Sequence, residues 1–159
     1  DDPLTCKLYG TYLSYLDVRN LAYSLPGRVD DRGALAEFIK SPAAGQLFVS
    51  RTLPGVTRGN HFHHLKTEKF LVLEGEAVIR FRALEEAGPP VPTEHGDPQP
   101  PVQAVVEYRV SGTEFRVVDI PPGFTHSIEN VGEGVLVTLF WASEVFDPQR
   151  PDTVAESVC

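Results

Sequence analysis

Hydrophobic and polar residues alternate in short runs along most of the chain, and Gly or Pro residues separate the runs. In residues 76–82, EAVIRFR, the alternation places Ala77, Ile79 and Phe81 on one strand face and Val78 on the other, beside two arginines. About eight such strands, with little helix after the first thirty residues, predict an all-β sandwich or barrel. We expect one face of each strand to form the core.

Three segments depart from this pattern. Residues 1–28 are rich in Leu and Tyr and predict an N-terminal arm or short helices at an interdomain junction, so that the barrel domain comprises residues 29–159. Residues 87–101 hold six of the fourteen prolines and predict an inserted loop, in which His95 is expected to be solvated. The final residues 146–159, FDPQRPDTVAESVC, carry no strong structural signal.

Two motifs contain residues that commonly bind metal ions. The first has the spacing G-x5-H-x-H-x4-E-x6-G between Gly55 and Gly75, and the second has the spacing P-x-G-x2-H-x3-N between Pro121 and Asn130. The candidate ligands are His61, His63, Glu68 and His126.

Strand geometry allows these four side chains to converge. His61 and His63 are two residues apart, so both can face the interior, whereas His64 is expected to be exposed or at a pocket rim. We expect Glu68 on the neighbouring strand and His126 on the opposite side of the barrel. Imidazole and carboxylate ligands suit Zn, Fe, Mn or Ni.

Composition narrows the function classes. A net charge of -8 and a pI near 5.0 argue against binding to nucleic acid or to an anionic membrane. The chain has no G-x-G-x-x-G fingerprint, so we expect no nicotinamide site in it. Cys6 and Cys159 make no disulfide framework, which favours reduced thiols and a cytoplasmic location. Because there is no methionine, we expect a fragment or a trimmed product.

The two motifs resemble those of the cupin superfamily, whose fold is a jelly-roll barrel with a metal at its centre. The leading glycine of the second motif is replaced by Phe115. A wider set of runs, including TYLSYL, VDDRG, KTEKFLV, VVDIPPGFTHSIEN and FDPQRPDT, is similar to the C-terminal cupin domain of bifunctional capsular-polysaccharide nucleotide-sugar reductases. Those enzymes act on UDP-2-acetamido-2,6-dideoxy-hexos-4-ulose sugars, and the Pro-rich insertion departs from their pattern.

This resemblance implies a Zn-dependent epimerase in bacterial surface-polysaccharide precursor synthesis. Such an enzyme removes the C3 proton of a UDP-4-keto-6-deoxy amino sugar, and the metal acts as a Lewis acid toward the enolate oxygen. The NADPH-dependent short-chain reductase would then be a separate domain absent from this chain, and a homodimer is expected because cupins commonly pair through edge strands.

Candidate substrate contacts and proton-transfer residues follow from the same likeness. Arg32 of DDRG resembles an arginine that holds the nucleotide diphosphate in metal-free 4-keto-sugar epimerases, although it can also be a turn arginine paired with an aspartate. The first candidate for the base is Lys66, which lies between ligands. The remaining candidates are Asp31, Arg58 and Arg80 for substrate binding, and His64 and Tyr108 for catalysis.

Two other functions fit the same ligands. One is a redox cupin with Fe, Mn or Cu that supports dioxygenase or decarboxylase chemistry. The other is a non-catalytic sugar-binding or dimerisation module that recruits substrate to a reductase.

Overall fold

The N-terminal arm is helical in the computed structural model, which describes residues 2–84 and 105–159. Helix α1 (Pro3–Tyr15) starts after Asp2, whose carboxylate accepts hydrogen bonds from the backbone N–H groups of Leu4 and Thr5. A single 3-10 turn (Val18–Asn20) follows. Neither helix is long and apolar enough to cross a bilayer.

Strands account for most of the remaining described residues, as predicted. In chain order they are β1 (Gly27–Asp30), β2 (Gly33–Ser41), β3 (Gly45–Thr52), β4 (Thr57–Phe62), β5 (Glu68–Glu74), β6 (Glu76–Ala83), β7 (Val106–Ser111), β8 (Val117–Ile120), β9 (Phe124–Asn130), β10 (Leu136–Ala142) and β11 (Val154–Ala155). The Pro-rich segment 87–101, with His95, lies outside the described residues.

The strands form two antiparallel sheets whose neighbours are mostly distant in sequence. The first sheet has the order β1-β2-β3-β10-β5-β8, and the second has the order β11-β4-β9-β6-β7. The chain therefore crosses repeatedly between the sheets, which is the connectivity of a jelly roll. The predicted all-β jelly-roll fold is confirmed.

The hydrophobic core lies between the two sheets. Phe70 and Val72 of β5 meet Ile79 and Phe81 of β6, together with Ile128 of β9, and all are at most 6% exposed. These residues are two apart on their strands, so the predicted alternation places them on inward faces.

The face of β6 opposite the core is also covered at one position. Val78 alternates with the core residues Ile79 and Phe81, as predicted, and it is fully buried.

The C-terminal residues form structure that the sequence did not indicate. Strand β11 pairs with β4, placing Val154 opposite Phe62 and Ala155 opposite His61. Val158 is 2% exposed. The end of the chain therefore belongs to the second sheet.

Candidate metal centre

Four predicted ligand residues come together at one end of the space between the sheets. One ligand atom from each of the four lies within 4.8 Å of every other, and the four residues are His61, His63, Glu68 and His126. The imidazole centroids of His61 and His126 are 4.6 Å apart, and those of His61 and His63 are 4.9 Å apart.

The strands that carry these residues are arranged differently from the prediction. His61 of β4 is the direct register partner of His126 on β9, so His126 is the near neighbour. Glu68 lies on β5, in the opposite sheet. The expected positions of Glu68 and His126 were therefore exchanged, because sequence order does not determine which strands pair in a jelly roll.

A bulge in β4 sets the register of the first histidine. The pairing with β9 shifts between Gly59 and His61, and the intervening Asn60 has a φ of 57°. Gly59 has a φ of 93°, and a Cβ built on it would lie 2.8 Å from the carbonyl oxygen of His126. Only glycine permits this approach of the two strands, which brings His61 opposite His126.

Two backbone carbonyls orient the imidazoles of His63 and His126. Nδ1 of His126 donates to the carbonyl of Phe124 at 3.3 Å, and Nδ1 of His63 donates to the carbonyl of Asp152. Because a carbonyl oxygen only accepts, each Nδ1 carries a proton, and in the neutral form of each ring Nε2 keeps its lone pair.

Both Nε2 atoms face the carboxylate of Glu68. They lie 3.4 Å (His63) and 3.3 Å (His126) from Glu68 Oε2, in buried positions and without hydrogen-bond geometry to any described group. Buried nitrogen atoms with no partner are costly in a folded protein. A divalent cation among these atoms fits both the donor types and their proximity.

Electrostatics keeps the cluster in the protonation state that metal binding requires. Burial, reinforced by His126, lowers the pKa of His61 to about 4, so its imidazole is neutral at pH 7. Burial raises the pKa of Glu68, but His126 and His63 in their protonated forms, as hydrogen-bond donors and charges, together with the charge of Lys66 outweigh it and hold that pKa well below its usual range. Glu68 is therefore an anionic ligand candidate.

Lys66 and His64, the candidates for proton transfer, both follow strand β4. Their side chains lie at different distances from the ligand cluster. Nζ of Lys66 lies 3.6 Å from Glu68 Oε1, and the side chain is 13% exposed. His64 is exposed and its ring stacks edge-on against Phe62, at 5.1 Å between centroids. The structure thus places Lys66 beside the cluster and His64 toward solvent.

Tyr108 lies two strands away from His126 in the second sheet. It occupies β7, and β6 separates that strand from β9. Its ring contacts Phe81 edge-on, with a centroid separation of 5.7 Å, and both line a cavity of about 200 Å³ that Phe124 also borders. Tyr108 therefore lines a cavity whose lining does not include the four ligand candidates.

Two arginines share one aspartate at the edge of the first sheet. Arg32 donates to Asp30 Oδ2 from Nε at 2.9 Å and from Nη2 at 2.5 Å, while neighbouring Asp31 is exposed. Nη2 of Arg58 lies 3.8 Å from Asp30 and makes no hydrogen bond to any described group, and its Nε donates to Thr52 at 3.0 Å. Arg32 is therefore paired with Asp30 within its turn, and Arg58 has a buried donor without an acceptor among the described residues.

Arg80 does not belong to the candidate site. It alternates with the core residues Ile79 and Phe81, so its side chain lies on the outer face of the second sheet. There it binds Glu107 at 2.6 Å and Glu129 at 2.5 Å. Arg80 and both of its ion pairs therefore lie on the sheet face opposite the candidate metal ligands.

Sequence reasoning missed Asp152 and Thr153. The carbonyl of Asp152 contacts His63, and Oγ1 of Thr153 lies 3.4 Å from Lys66 Nζ. The only sequence signal was the PDT segment of the resemblance, which carried no role.

Solved structures with the same architecture define the class of fold. The chain aligns with the capsular polysaccharide assembling protein CapF from Staphylococcus aureus at a TM-score of 0.84 and 45% identity, covering 99% of this chain and 38% of that one. It also aligns with an oxalate decarboxylase from Lactobacillus farciminis at a TM-score of 0.58 and 16% identity, covering 82% of this chain and 33% of that one, a likeness of fold alone. The fold is a cupin-type jelly roll, as the motifs predicted.

Sequence comparison then identifies the family. Residues 28–91 and 99–154 match the family described as Polysaccharide biosynthesis C-terminal domain, and the chain belongs to it. It is 41% identical over 155 residues to UDP-2-acetamido-2,6-beta-L-arabino-hexul-4-ose reductase of Pseudomonas aeruginosa, covering 98% of this chain and 37% of that protein. The chain thus spans less than two fifths of the length of this relative and of CapF.

Proposed function

We propose that this chain epimerises C3 of a UDP-4-keto-6-deoxy amino sugar in the synthesis of a bacterial surface polysaccharide. The observation that carries the proposal is the convergence of four predicted ligands in a family of polysaccharide-biosynthesis domains. The name of the Pseudomonas relative supplies the substrate class, a UDP-linked 2-acetamido-2,6-dideoxy hexulose.

The proposed metal ligands are His61, His63, Glu68 and His126. The bare Nε2 atoms of His63 and His126 and the anionic Glu68 support this assignment. A donor set of three nitrogens and one oxygen suits Zn²⁺ and also accommodates Fe, Mn or Ni. When bound, a divalent metal supplies a Lewis acid that stabilises negative charge on the sugar carbonyl oxygen.

Lys66 is the proposed base. A C3–H bond next to the C4 carbonyl breaks when the base takes the proton, and the bonding electrons delocalise onto O4 as an enolate. Return of a proton to the opposite face of C3 forms the epimer with no net oxidation. Lys66 Nζ lies beside the cluster and is largely shielded from solvent, which supports its assignment.

Arg58 and Arg32 are the proposed contacts for the substrate diphosphate. The guanidinium groups of Arg32 and Arg58 both lie within 4 Å of the carboxylate of Asp30. The buried Nη2 of Arg58 has no hydrogen-bond acceptor among the described residues. Arginine donors suit phosphate oxygens in this arrangement.

The wider organisation of the protein also belongs to the proposal. Residues 1–28 would be the junction to a short-chain reductase domain, residues 29–159 the cupin domain, and the cupin domains would pair as a homodimer. The relative is named as a reductase and this chain covers 37% of it, which supports a separate reductase domain. A UDP-sugar substrate is consistent with a cytoplasmic reaction.

The test is solvent exchange at C3. The 4-keto UDP-sugar is incubated with the chain in deuterated water without NADPH, and the C3 proton is followed by NMR. We expect deuterium to replace that proton, exchange to stop after chelator treatment, and Zn²⁺ to restore it.

Three results would separate the alternatives. Absence of exchange by zinc-loaded protein that still binds the sugar would overturn the epimerase and favour a binding module. Oxygen consumption with the loaded protein would favour a redox cupin. Full exchange after complete removal of metal would contradict the metal requirement.

A further inference from the structure

The C-terminal tail, residues 152–158, crosses the second sheet beside the candidate metal centre. Its strand β11 pairs with the edge of β4, with Ala155 opposite His61. Asp152, its first residue, contacts residues that precede it by 86 to 89 positions in the sequence. These contacts begin at Asp152, directly before the strand.

The carboxylate of Asp152 binds the backbone that follows His63. Its Oδ1 accepts a hydrogen bond from the N–H of His64 at 2.8 Å. Its Oδ2 accepts from the N–H groups of Leu65 and Lys66, each also at 2.8 Å. Three charge-assisted hydrogen bonds to one side chain fix the loop of residues 64–66 relative to the tail.

The backbone of the same residue orients the ligand candidate. The carbonyl of Asp152 accepts the Nδ1 proton of His63, and Oγ1 of Thr153 lies 3.5 Å from that nitrogen. The side chain of Asp152 sets where this carbonyl lies, because it ties the residue to the loop that His63 begins. The unprotonated Nε2 of His63 is therefore directed toward Glu68.

The rest of the tail is anchored on the sheet and on the bulge of β4. The N–H of Glu156 donates to the carbonyl of Asn60 at 3.0 Å, and the N–H of Val158 donates to the Asn60 side chain at 3.3 Å. The hydroxyl of Thr125 donates to the Glu156 carbonyl at 2.6 Å. Arg82 donates to the Val158 carbonyl at 3.1 Å. These bonds keep Asp152 in register with His63.

We propose that Asp152 is a positioning residue for the metal centre. Its carboxylate holds the loop after His63, and its carbonyl fixes the tautomer and direction of the His63 imidazole. The inference deepens the proposed function and rests on its metal site. Outer partners of ligating histidines commonly contribute about 10- to 100-fold in metal affinity.

The test compares Asp152→Ala and Asp152→Asn with a matched control, Asp147→Ala, in the full chain. Asp147 is an exposed aspartate that precedes the tail, and within the described part of the chain its carboxylate accepts only a local hydrogen bond, from the N–H of Gln149 at 2.9 Å. Zn²⁺ affinity is measured by competition with a chromophoric chelator. We expect Asp152→Ala to weaken Zn²⁺ binding about 10- to 100-fold and the control to change it less than about threefold.

A second measurement detects positioning without metal. The ¹⁵N shifts of the His63 ring in the metal-free chain are expected to report a single form, protonated on Nδ1, in the wild type and in Asp147→Ala. In Asp152→Ala they should report a mixture of tautomers. His126, which is oriented by Phe124, serves as the internal reference and should keep its shifts in every variant. If Asp152→Ala does not fold, Asp152→Asn provides both measurements.

The outcomes separate this inference from the proposed function. A wild type that binds Zn²⁺, with unchanged affinity in both Asp152 variants, overturns the inference and leaves the epimerase proposal intact. An unchanged His63 tautomer in those variants also overturns it. A wild type that binds no divalent metal overturns the metal site of the proposed function, and the ¹⁵N result then decides the role of Asp152 alone.

Discussion

At the scale of single residues, the protonation of three imidazoles determines what the cluster can bind. His63 and His126 place their protons on Nδ1 because backbone carbonyls accept them there. His61 stays neutral because burial and a neighbouring imidazole disfavour its charged form. Lone pairs and one carboxylate thus face each other in a buried space, which is the arrangement that a cation stabilises.

The role of Lys66 can be tested against a lysine that lies near it in sequence. Lys66→Ala should slow C3 deuterium exchange by at least about 100-fold with unchanged zinc content, since a positioned base contributes about that much. Lys69→Ala is the control, because Lys69 is on the other side of Glu68 in sequence and pairs with the exposed Asp119. Undiminished exchange in Lys66→Ala, measured by NMR, would remove this residue from the mechanism.

Acid should destabilise the metal-free protein through His61. Its folded pKa of about 4 lies below the ordinary value of 6.5, so between these values the unfolded chain binds more protons. The free energy of unfolding should therefore fall as the pH is lowered from 6.5 to 4, by at most about 1.4 kcal/mol per pH unit. Below pH 4, protonation of Glu68 should lower the free energy of unfolding further.

Urea unfolding of the metal-free chain at several pH values measures this dependence. His61→Asn is the comparison and should have a shallower slope between pH 6.5 and 4. Equal slopes in the two proteins would show that His61 does not titrate as inferred.

At the scale of elements, the bulge in β4 links local backbone geometry to the site. Gly59 and Asn60 both have positive φ, and together they shift the pairing so that His61 meets His126. The carbonyl and side chain of Asn60 also bind the C-terminal tail. One irregular turn of backbone thus holds two ligand strands and the tail in register.

Replacing Gly59 should therefore affect both stability and metal binding. Gly59→Ala adds a Cβ 2.8 Å from the His126 carbonyl at a φ of 93°, and we expect a loss of about 1–3 kcal/mol together with weaker Zn²⁺ binding. Gly55→Ala is the matched control, because Gly55 has a φ of 71° but open space around it. It should lose stability without losing Zn²⁺ affinity, as measured by urea unfolding and chelator competition. Equal zinc affinities in both variants would contradict the role of the bulge.

At the scale of the whole molecule, the two ends of the chain contribute differently to the barrel. Helix α1 has no buried residue, and it exposes several large apolar side chains. The C-terminal tail, in contrast, adds a strand and buries Val158. The barrel should therefore depend on its last residues and not on its first.

Deletion of each end tests this difference. Removal of residues 1–16 should change the melting temperature by less than about 2 °C, since it removes no core contact. Removal of residues 156–159 should lower it by more than that, because the buried Val158 and the bonds to Arg82 are lost. The melting temperatures are measured by thermal unfolding. A large fall in melting temperature after removal of residues 1–16 would show that the arm stabilises the folded protein.

Local pattern was sufficient to indicate most of the strands, although not β11, and to identify the four ligand candidates. Alternation is a property of each strand alone, so the prediction that Ile79 and Phe81 lie in the core is confirmed. The same rule places the side chain of Arg80 on the outer face once the core face is known. The motif spacing selected the ligand candidates that the structure brings within 4.8 Å of one another. The cupin-type fold followed from the same motifs.

Tertiary structure alone decided which segments meet. That His126 is beside His61 and Glu68 across from it depends on strand pairing, and pairing between distant segments is set by the packing of the whole barrel. The contact of Asp152 with the loop after His63, 86 to 88 residues earlier, has the same origin. The sequence by itself determined which side chains can face inward, because that depends on neighbours along the chain, whereas only the folded sheets determined which of them face each other.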